Sequence, residues 1–228
     1  MKRFFSSALG LSAMSIAACA STLIPGEALQ SPDTLSLTGL TMIASETNVA
    51  LNSLTFTATF DAAVYSGNDT FCPTTDCLIF AYQVTDTGGV AAGTGIIEHV
   101  TASNFANFST DVGDQTLSTA TSVFAAGGTA PSTVDRSLSG PGAVVTFDFP
   151  DATGGNSDLI PGDHSTVLIV ETNATNYTTG LFSAIDGATA TASGFGPASA
   201  TPEPASMALI GSALLGLGLL SKRIRRQS

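Results

Sequence analysis

The sequence predicts an all-β protein: an antiparallel β-sandwich of jelly-roll or immunoglobulin-like build, flanked by an N-terminal signal peptide and a C-terminal transmembrane helix. Three observations support this fold class. Residues typical of strands and turns are abundant, with 31 Thr, 26 Ser and 23 Gly in a chain of 228 residues. Apolar and polar residues alternate in short runs. Gly-rich or Pro-containing segments separate those runs.

The predicted strands follow one another between residues 30 and 197. The clearest alternation places Leu54, Phe56 and Phe60 on one face and threonines on the other. The run Val167–Val170 is apolar throughout, which predicts a central strand that is covered on both faces. In chain order, the predicted strands are Leu35–Leu40, Leu54–Phe60, Leu78–Thr85, Gly95–Val100, Gln115–Val123, Val144–Phe149, Thr166–Glu171, Tyr177–Phe182 and Ala188–Phe195.

The distribution of charge excludes one class of partner. Between residues 21 and 201 the sequence has 17 acidic residues and one basic residue, Arg136, which gives a formal charge of −16. The other six basic residues lie at the two ends of the chain. Nucleic acids and anionic lipid surfaces bind proteins through clustered Lys and Arg side chains. We therefore expect no nucleic-acid partner, and a solvated, non-sticky surface for the middle of the chain.

The N-terminus has the parts of a signal peptide. Lys2 and Arg3 precede an apolar run from Phe4 to Ala18, and Ala18-Cys19-Ala20 fits the small-residue cleavage pattern. Cleavage there would remove residues 1–20. The segment Ile16–Cys19 also fits a lipoprotein cleavage box, in which Cys19 would be retained and lipidated. The sequence leaves both outcomes open.

The C-terminus carries the most specific pattern in the sequence. The segment Pro202-Glu203-Pro204 is followed by the small or apolar residues 205–220, and then by four basic residues, Lys222, Arg223, Arg225 and Arg226. Two prolines around Glu203 disfavour a helix and leave an extended peptide that a protease can read. Residues 205–220 would form a helix about 24 Å long, against roughly 30 Å for the hydrocarbon core of a bilayer. The basic residues should stay on the cytoplasmic side.

This three-part pattern resembles the PEP-CTERM sorting signal over residues 201–226. The resemblance implies that an exosortase-type membrane protease cuts near Pro202-Glu203-Pro204. It also implies an inner-membrane-anchored precursor whose body reaches the cell surface or the extracellular space. A permanent tail anchor is the alternative.

The domain prediction follows from these two ends. It places a signal peptide at 1–20, a Thr/Ser-rich acidic β domain at 21–196, a linker at 197–204, and an apolar helix with its basic tail at 205–228. Three stretches of the β domain also loosely resemble the bodies of such sorted proteins, which implies no particular activity. These stretches are Phe80–Thr85, Val134–Ser137 and Val167–Ala174.

Cys72 and Cys77 are predicted to form a disulfide bond. Four residues separate them, and Pro73 and Asp76 favour a turn that can bring the two thiols together. An exported protein meets an oxidising environment, which favours the bond. The sequence near the pair lacks the further Cys or His that a zinc site would need.

The candidate catalytic and metal-binding residues form no recognised motif. His99 and His164 are the only histidines, and both are expected to be surface residues. Asp163-His164-Ser165 does not indicate a hydrolase, because adjacent side chains form no relay and no Gly-x-Ser-x-Gly elbow occurs. The acidic segments Asp111–Asp114 and Asp151–Asp158 leave a Ca²⁺ site open as an alternative to ordinary turns. We otherwise expect no metal and no cofactor.

Two functions from different classes are compatible with these observations. The first is a structural or adhesive protein of the cell surface or extracellular matrix, without catalytic activity. The alternative is a secreted carbohydrate-binding or carbohydrate-active protein, for which extracellular polysaccharide would be the partner. The absence of Trp weakens the alternative. A deep cleft with two carboxylates about 5–10 Å apart would favour an enzyme, whereas a smooth sandwich would favour the structural role.

Overall fold

The computed structural model describes residues 22–67, 71, 76–89, 95–149 and 158–198. This part of the chain is all-β, as predicted, and contains no helix. It therefore also contains no helix long and apolar enough to cross a membrane. The predicted signal peptide and the predicted apolar helix at 205–220 lie outside the described residues. The strands are β1 (Asp33–Thr34), β2 (Thr41–Asn52), β3 (Phe56–Ser66), β4 (Leu78–Gly89), β5 (His99–Ser103), β6 (Thr110–Gln115), β7 (Thr133–Arg136), β8 (Val144–Asp148), β9 (Val167–Thr172), β10 (Asn176–Asp186) and β11 (Ala188–Ala198).

The strands form two sheets. The six-stranded sheet has the order β1-β6-β9-β4-β3-β2, and the five-stranded sheet has the order β11-β10-β5-β8-β7. The prediction of a purely antiparallel fold was wrong in one respect, because β1 pairs with β6 in parallel. Strand β1 is only two residues long, so it is a short parallel addition to a sheet whose other pairs are antiparallel.

The two sheets face each other across a shared apolar core. Phe60 of the six-stranded sheet stacks on Phe182 of the five-stranded sheet, with ring centroids 4.5 Å apart. The Tyr82 hydroxyl, on β4, donates a 2.6 Å hydrogen bond to the carbonyl of Phe195 on β11. Buried side chains from both sheets belong to one cluster. Apolar burial and this hydrogen bond therefore hold the sheets together.

The prediction of a central strand covered on both faces is confirmed at β9. All six residues of β9 are buried, and the strand lies between β6 and β4. Leu168 and Val170 point into the core between the sheets. Val167 and Ile169 point to the other face, where they form a second apolar cluster.

The segments that cover this second face were wrongly predicted to be strands. Leu35–Leu40 and Gln115–Val123 are irregular apart from the last residue of β6. Their apolar residues pack on the outer face of the six-stranded sheet, as Leu35, Leu37 and Leu117 do. The alternation of apolar and polar residues therefore correctly predicted which side chains are buried, but it did not identify a strand. A loop that lies on a sheet can also bury alternate side chains.

Other strand boundaries also differ from the prediction. Strands β2 and β7 were missed, β5 begins at His99 rather than Gly95, and β6 begins at Thr110. Most residues of β2 are exposed, because it is an edge strand with irregular register, and no apolar stripe marks it in the sequence. Strand β11 reaches Ala198, so it includes the first two residues of the predicted linker.

The segment from residue 22 to β1 closes one side of the sandwich. The Leu23 amide donates to the Thr110 carbonyl of β6, and Gln30 and Val134 of β7 exchange two backbone hydrogen bonds. Strand β1 then returns to β6. The segment thus pairs with β6 of one sheet and with the edge strand β7 of the other, which would otherwise expose unpaired backbone groups.

Both ends of the described chain lie at the same end of the sandwich. Thr22 bridges to Asp111 at the start of β6, and Ala198 pairs with Asn176 at the start of β10. We call this the tail-proximal end, which includes the loops 104–109, 137–143 and 173–175. The opposite, far end includes the β10–β11 turn at 186–188 and the turn at 160–163.

Arg136 is the buried centre of the tail-proximal end. Only 3% of the residue is exposed, and all five of its N–H groups donate to neutral oxygens at 2.7–3.0 Å. A Cβ at Gly142 would clash with the guanidinium group, so this position requires glycine. Burial lowers the pKa of Arg136. The acceptors are the carbonyls of Leu23, Phe105, Phe108 and Gly142 and the Thr110 hydroxyl.

We predict that Arg136→Met lowers the free energy of unfolding by about 3–5 kcal/mol, because several buried acceptors lose their donor. The free energy of unfolding of Arg136→Lys should lie between those of Arg136→Met and the wild type, since an ammonium group has three donors but lacks the planar geometry of a guanidinium group. Urea unfolding followed by circular dichroism measures this, with the exposed Leu138→Met as the control. An Arg136→Met variant as stable as the control would contradict this role of Arg136.

Candidate functional site

The sorting residues identified in the sequence lie outside the described residues. These are Pro202, Glu203 and Pro204, and the basic residues Lys222, Arg223, Arg225 and Arg226.

Of the two cysteines that are predicted to form a disulfide bond, Cys77 is buried with 3% exposure next to the start of β4, whereas Cys72 lies outside the described residues. The Cys72–Cys77 disulfide stays a prediction.

The outer face of the five-stranded sheet is lined by hydroxyl groups. One row crosses all five strands in register, and the hydroxyls of Thr191 and Ser183 in this row are 3.1 Å apart. Neighbouring strands are about 4.8 Å apart, so the row spans about 19 Å. We call this surface the hydroxyl face. The row consists of Thr191, Ser183, Thr101, Thr146 and Asp135.

A histidine–carboxylate pair lies on the same face. His99 Nδ1 is 2.6 Å from Asp148 Oδ1, and the other oxygen of Asp148 accepts a hydrogen bond from the Thr133 hydroxyl. Asp148 thereby fixes the ring orientation of His99 and leaves Nε2 directed away from the pair, 3.9 Å from Glu98. This pair could not be predicted from the sequence, because the two residues are 49 positions apart.

Asp135 adds a second carboxylate beside this pair. Burial raises the pKa of Asp135, and the nearby Asp148 raises it further, whereas a hydrogen bond from Thr146 and the proximity of His99 lower it. The surface can therefore offer donors, acceptors and an imidazole to a polar ligand. Among the described residues, no serine or threonine hydroxyl and no cysteine thiol hydrogen-bonds to His99, so the pair does not match a nucleophile–base pair.

Three carboxylates approach one another at the far end. Asp86 lies at a bulge in β4, next to Asp163 in the turn before β9 and Asp186 in the β10–β11 turn. Its backbone N–H donates to the Asp163 carbonyl at 3.0 Å. Its side chain is fully buried; Oδ1 accepts from the Gly88 amide at 2.8 Å, and Oδ2 has no hydrogen-bond partner among the described residues.

Burial is the main cause that raises the pKa of Asp86 from 3.8 to about 6, and the negative charges of Asp186 and Asp163 raise it further. The hydrogen bond from the Gly88 amide opposes this effect. The folded protein therefore holds a proton at Asp86 under mildly acidic conditions, when an unfolded chain would have released it.

The candidate Ca²⁺ segments gain no support from the described residues. No group of three or more His, Cys, Asp or Glu side chains with metal-binding geometry occurs among them. Asp111 is buried in β6, and most of Asp151–Asp158 lies outside the described residues. His164 is half-buried, and its Nε2 is 3.1 Å from the Ala126 carbonyl, so it forms no relay with its sequence neighbours.

One open cavity of about 240 Å³ lies on the outer face of the six-stranded sheet. Its lining is mainly apolar and contains no carboxylate. The lining includes the apolar or aromatic side chains of Leu37, Tyr65, Leu117 and Phe124, and Gln115 places an amide group there. The side-chain oxygen of Gln115 already accepts a 3.0 Å hydrogen bond from the Leu37 amide. The cavity therefore lacks the paired carboxylates of a glycoside hydrolase.

Comparison with known proteins identifies the tail but not the body. Residues 200–226 match the family model of the PEP-CTERM protein-sorting motif, as the sequence analysis predicted. This motif implies an exported protein that an exosortase, a membrane enzyme, processes from a membrane-anchored precursor. No curated protein and no solved structure matches the chain.

We predict that Asp86→Asn raises the free energy of unfolding at pH 7.5 by about 1–3 kcal/mol, because it removes a buried charge and keeps the acceptor for Gly88. The raised pKa means that wild-type stability falls as pH rises from about 4 to 6; the variant should lose this part of the pH dependence. Urea unfolding at pH 5 and 7.5 tests both effects. Asp76→Asn, at an exposed carboxyl, is the matched control.

Proposed function

We propose that this chain, which carries a PEP-CTERM sorting motif, is a structural or adhesive protein of the cell surface or extracellular matrix and has no catalytic activity. The observation that carries the proposal is the match of residues 200–226 to the sorting motif. Exosortase processing gives the body its destination, and the features of the body then suggest what it does there.

The proposed route uses both ends of the chain. The signal peptide at 1–20 starts export, the helix at 205–220 stops it, and the basic residues after the helix stay in the cytoplasm. Moving each cation through hydrocarbon costs a few kcal/mol, so four of them hold the tail in place. The protease then cuts near Glu203 and separates the body from the helix.

The described surface supports a role without catalysis. The hydroxyl face is a sheet surface rather than a cleft, and the cavity on the other sheet has no carboxylate in its lining. His99 and Asp148 form a pair, but the described residues place no nucleophile on it. A sheet surface that offers many weak, similar hydrogen-bonding groups suits repeated contacts with a matrix.

The second candidate function is carbohydrate binding, and the hydroxyl face favours it. A row of hydroxyls, with carboxylates and an imidazole at one side, can hydrogen-bond to the hydroxyl groups of a polysaccharide. The high negative charge of the body would favour a neutral polymer over an acidic one. This candidate differs from the first only in requiring a defined binding surface.

The mature protein should lack the apolar helix and the basic tail. Intact-mass measurement of protein recovered from the surface or medium tests this, and a mass that includes residues 205–228 would contradict the proposed processing. Pro202→Ala together with Glu203→Ala should retain the tail, because the extended peptide read by the protease is altered. Thr201→Ser is the matched control and should be processed like wild type.

Polysaccharide binding predicts that Thr101→Arg together with Thr146→Arg weakens binding at least tenfold, because two bulky side chains would lift a ligand off the hydroxyl face. Co-sedimentation with the matrix polysaccharide of the producing cells measures the affinity. Thr47→Arg together with Ala50→Arg, at exposed positions of β2, changes the net charge equally and is the control. Equal binding by both variants would leave only the structural role.

A further inference from the structure

The five-stranded sheet ends in a long, regular edge strand. Strand β11 has eleven residues and pairs with β10 through consecutive residue pairs without any shift of register. It is the last strand in the sheet order, so no described strand pairs with its second edge. Strand β2 lies close to β11 but, among the described strands, pairs with β3 alone. The sequence of β11 contains no charged residue, and an edge of this kind can pair with another strand.

The other edges of the two sheets are protected. The N-terminal segment pairs with β7 through Gln30, and β1 is only two residues long. Strand β2 has two irregularities in its register, and Asn48 within it has a φ of 56°. Glu46 of β2 buries a carboxylate oxygen that has no hydrogen-bond partner among the described residues. Bulges and inward-pointing charges of this kind oppose edge pairing, and β11 has neither.

Two hydrogen bonds show which backbone groups of β11 face the free edge. The Leu181 amide of β10 donates to the Ser103 hydroxyl of β5 at 2.8 Å. The Ile185 carbonyl of β10 accepts from the Glu98 amide, so the odd-numbered residues of β10 face β5. Backbone direction alternates along a strand, so the even-numbered residues of β10 and β11 bond to each other. The odd-numbered residues of β11 therefore face outward.

Three of these outward-facing residues have free backbone groups. The Phe195 carbonyl is occupied, because the Tyr82 hydroxyl donates to it. The outward amide and carbonyl groups of Thr189, Thr191 and Ser193 make no backbone hydrogen bond among the described residues. All three of these residues are exposed. We call residues 189–193 the free edge.

We propose that the free edge is a self-association site, at which a second copy of this chain adds its own residues 189–193 in the antiparallel direction. A two-fold axis at Thr191 pairs Thr191 of the two copies with each other, and Thr189 of one copy with Ser193 of the other. These three residue pairs would form about six backbone hydrogen bonds. Ala190 then lies opposite Ala192, so no large or charged side chain obstructs the pairing.

The distribution of charge favours a second copy in this orientation. Residues 21–201 carry a formal charge of −16, so two copies repel each other wherever their acidic groups meet. Antiparallel pairing places the two Asp186 residues about 34 Å apart along the strands, well beyond a Debye length of about 8–10 Å. Parallel pairing would instead bring the two far ends together, with Asp86, Asp163 and Asp186 of each copy. A two-fold axis also closes the assembly at two copies.

The pairing would join the hydroxyl faces of the two copies. Thr191 is the first residue of the hydroxyl row that crosses the five-stranded sheet. With Thr191 on the axis, the rows of both copies become one row across ten strands, about 43 Å long. A dimer would therefore present a surface twice as long to a matrix or a polymer. The pairing itself requires neither export nor cleavage of the tail.

Cross-linking of introduced cysteines tests the register. The full chain with Thr191→Cys, in mild detergent, is treated with a short bifunctional thiol reagent, and wild type gives the background from the native cysteines. Thr189→Cys is the matched control, because residue 189 of the two copies would lie about 14 Å apart along the strands. We expect at least fivefold more cross-linked dimer at 191 than at 189. Equal yields would indicate random collision, and no dimer at 191 would indicate an edge that is covered within one chain; either result overturns the proposal.

A proline variant tests the backbone hydrogen bonds. Chains with Thr189→Cys and chains with Ser193→Cys are mixed, since these two positions face each other across the axis. Thr191→Pro in both chains removes the outward amide but keeps the bonds to β10, because proline is tolerated on the free side of an edge strand. Thr191→Val keeps the amide and is the control. We expect the yield of mixed dimer to fall at least fivefold with proline and to stay within twofold with valine.

Circular dichroism checks that the proline variant folds, and an unchanged yield from a folded variant would overturn the proposal. If Thr191→Pro does not fold, Thr191→Asp replaces it, because it brings two carboxylates together at the axis. Ser118→Asp, at an exposed position outside β11, adds the same charge and is its control. An equal yield of mixed dimer from these two variants would also overturn the proposal.

Discussion

The fold depends on one buried cation in an acidic protein. Arg136 is the only basic residue between residues 21 and 201, and its five donors bind neutral oxygens rather than a carboxylate. A guanidinium group cannot leave water without partners, so the chain must bring several carbonyls to one point. Those carbonyls belong to the N-terminal segment and to two loops. One side chain therefore fixes where three separate parts of the chain meet.

The contacts of Arg136 also help to close one side of the sandwich. The segment after residue 22 is held at Leu23 by Arg136 and continues along β7 and β6, which gives partners to backbone groups of both sheets. The opposite side is closed differently: β2 and β11 lie close together, and Tyr82 binds the Phe195 carbonyl. The side that holds the N-terminal segment is thus closed by hydrogen bonds. On the opposite side, Ala44 and Val49 of β2 and Ala192 and Phe195 of β11 also pack against the apolar core.

The sequence predicted the buried strands better than the residues that tie them together. Strands β4, β8, β9, β10 and β11 were found because local apolar patterns report burial. The segment Leu35–Leu40 was wrongly predicted to be a strand, since a loop packed on a sheet gives the same alternation. The sequence could not predict the His99–Asp148 pair, the role of Arg136 or the approach of Asp163 and Asp186 to Asp86, because each joins residues that are distant in sequence.

The basic residues lie mainly at the two ends of the chain and the acidic residues in the body, and this distribution suits two physical requirements of the proposed export route. On the proposed export route, the basic residues at both ends of the chain stay on the cytoplasmic side, because cations resist transfer through hydrocarbon. A body with many acidic residues and almost no basic ones lacks the clustered cations through which proteins bind anionic lipid. Arg136 satisfies both requirements only because it is buried: it stabilises the body without giving its surface a positive charge.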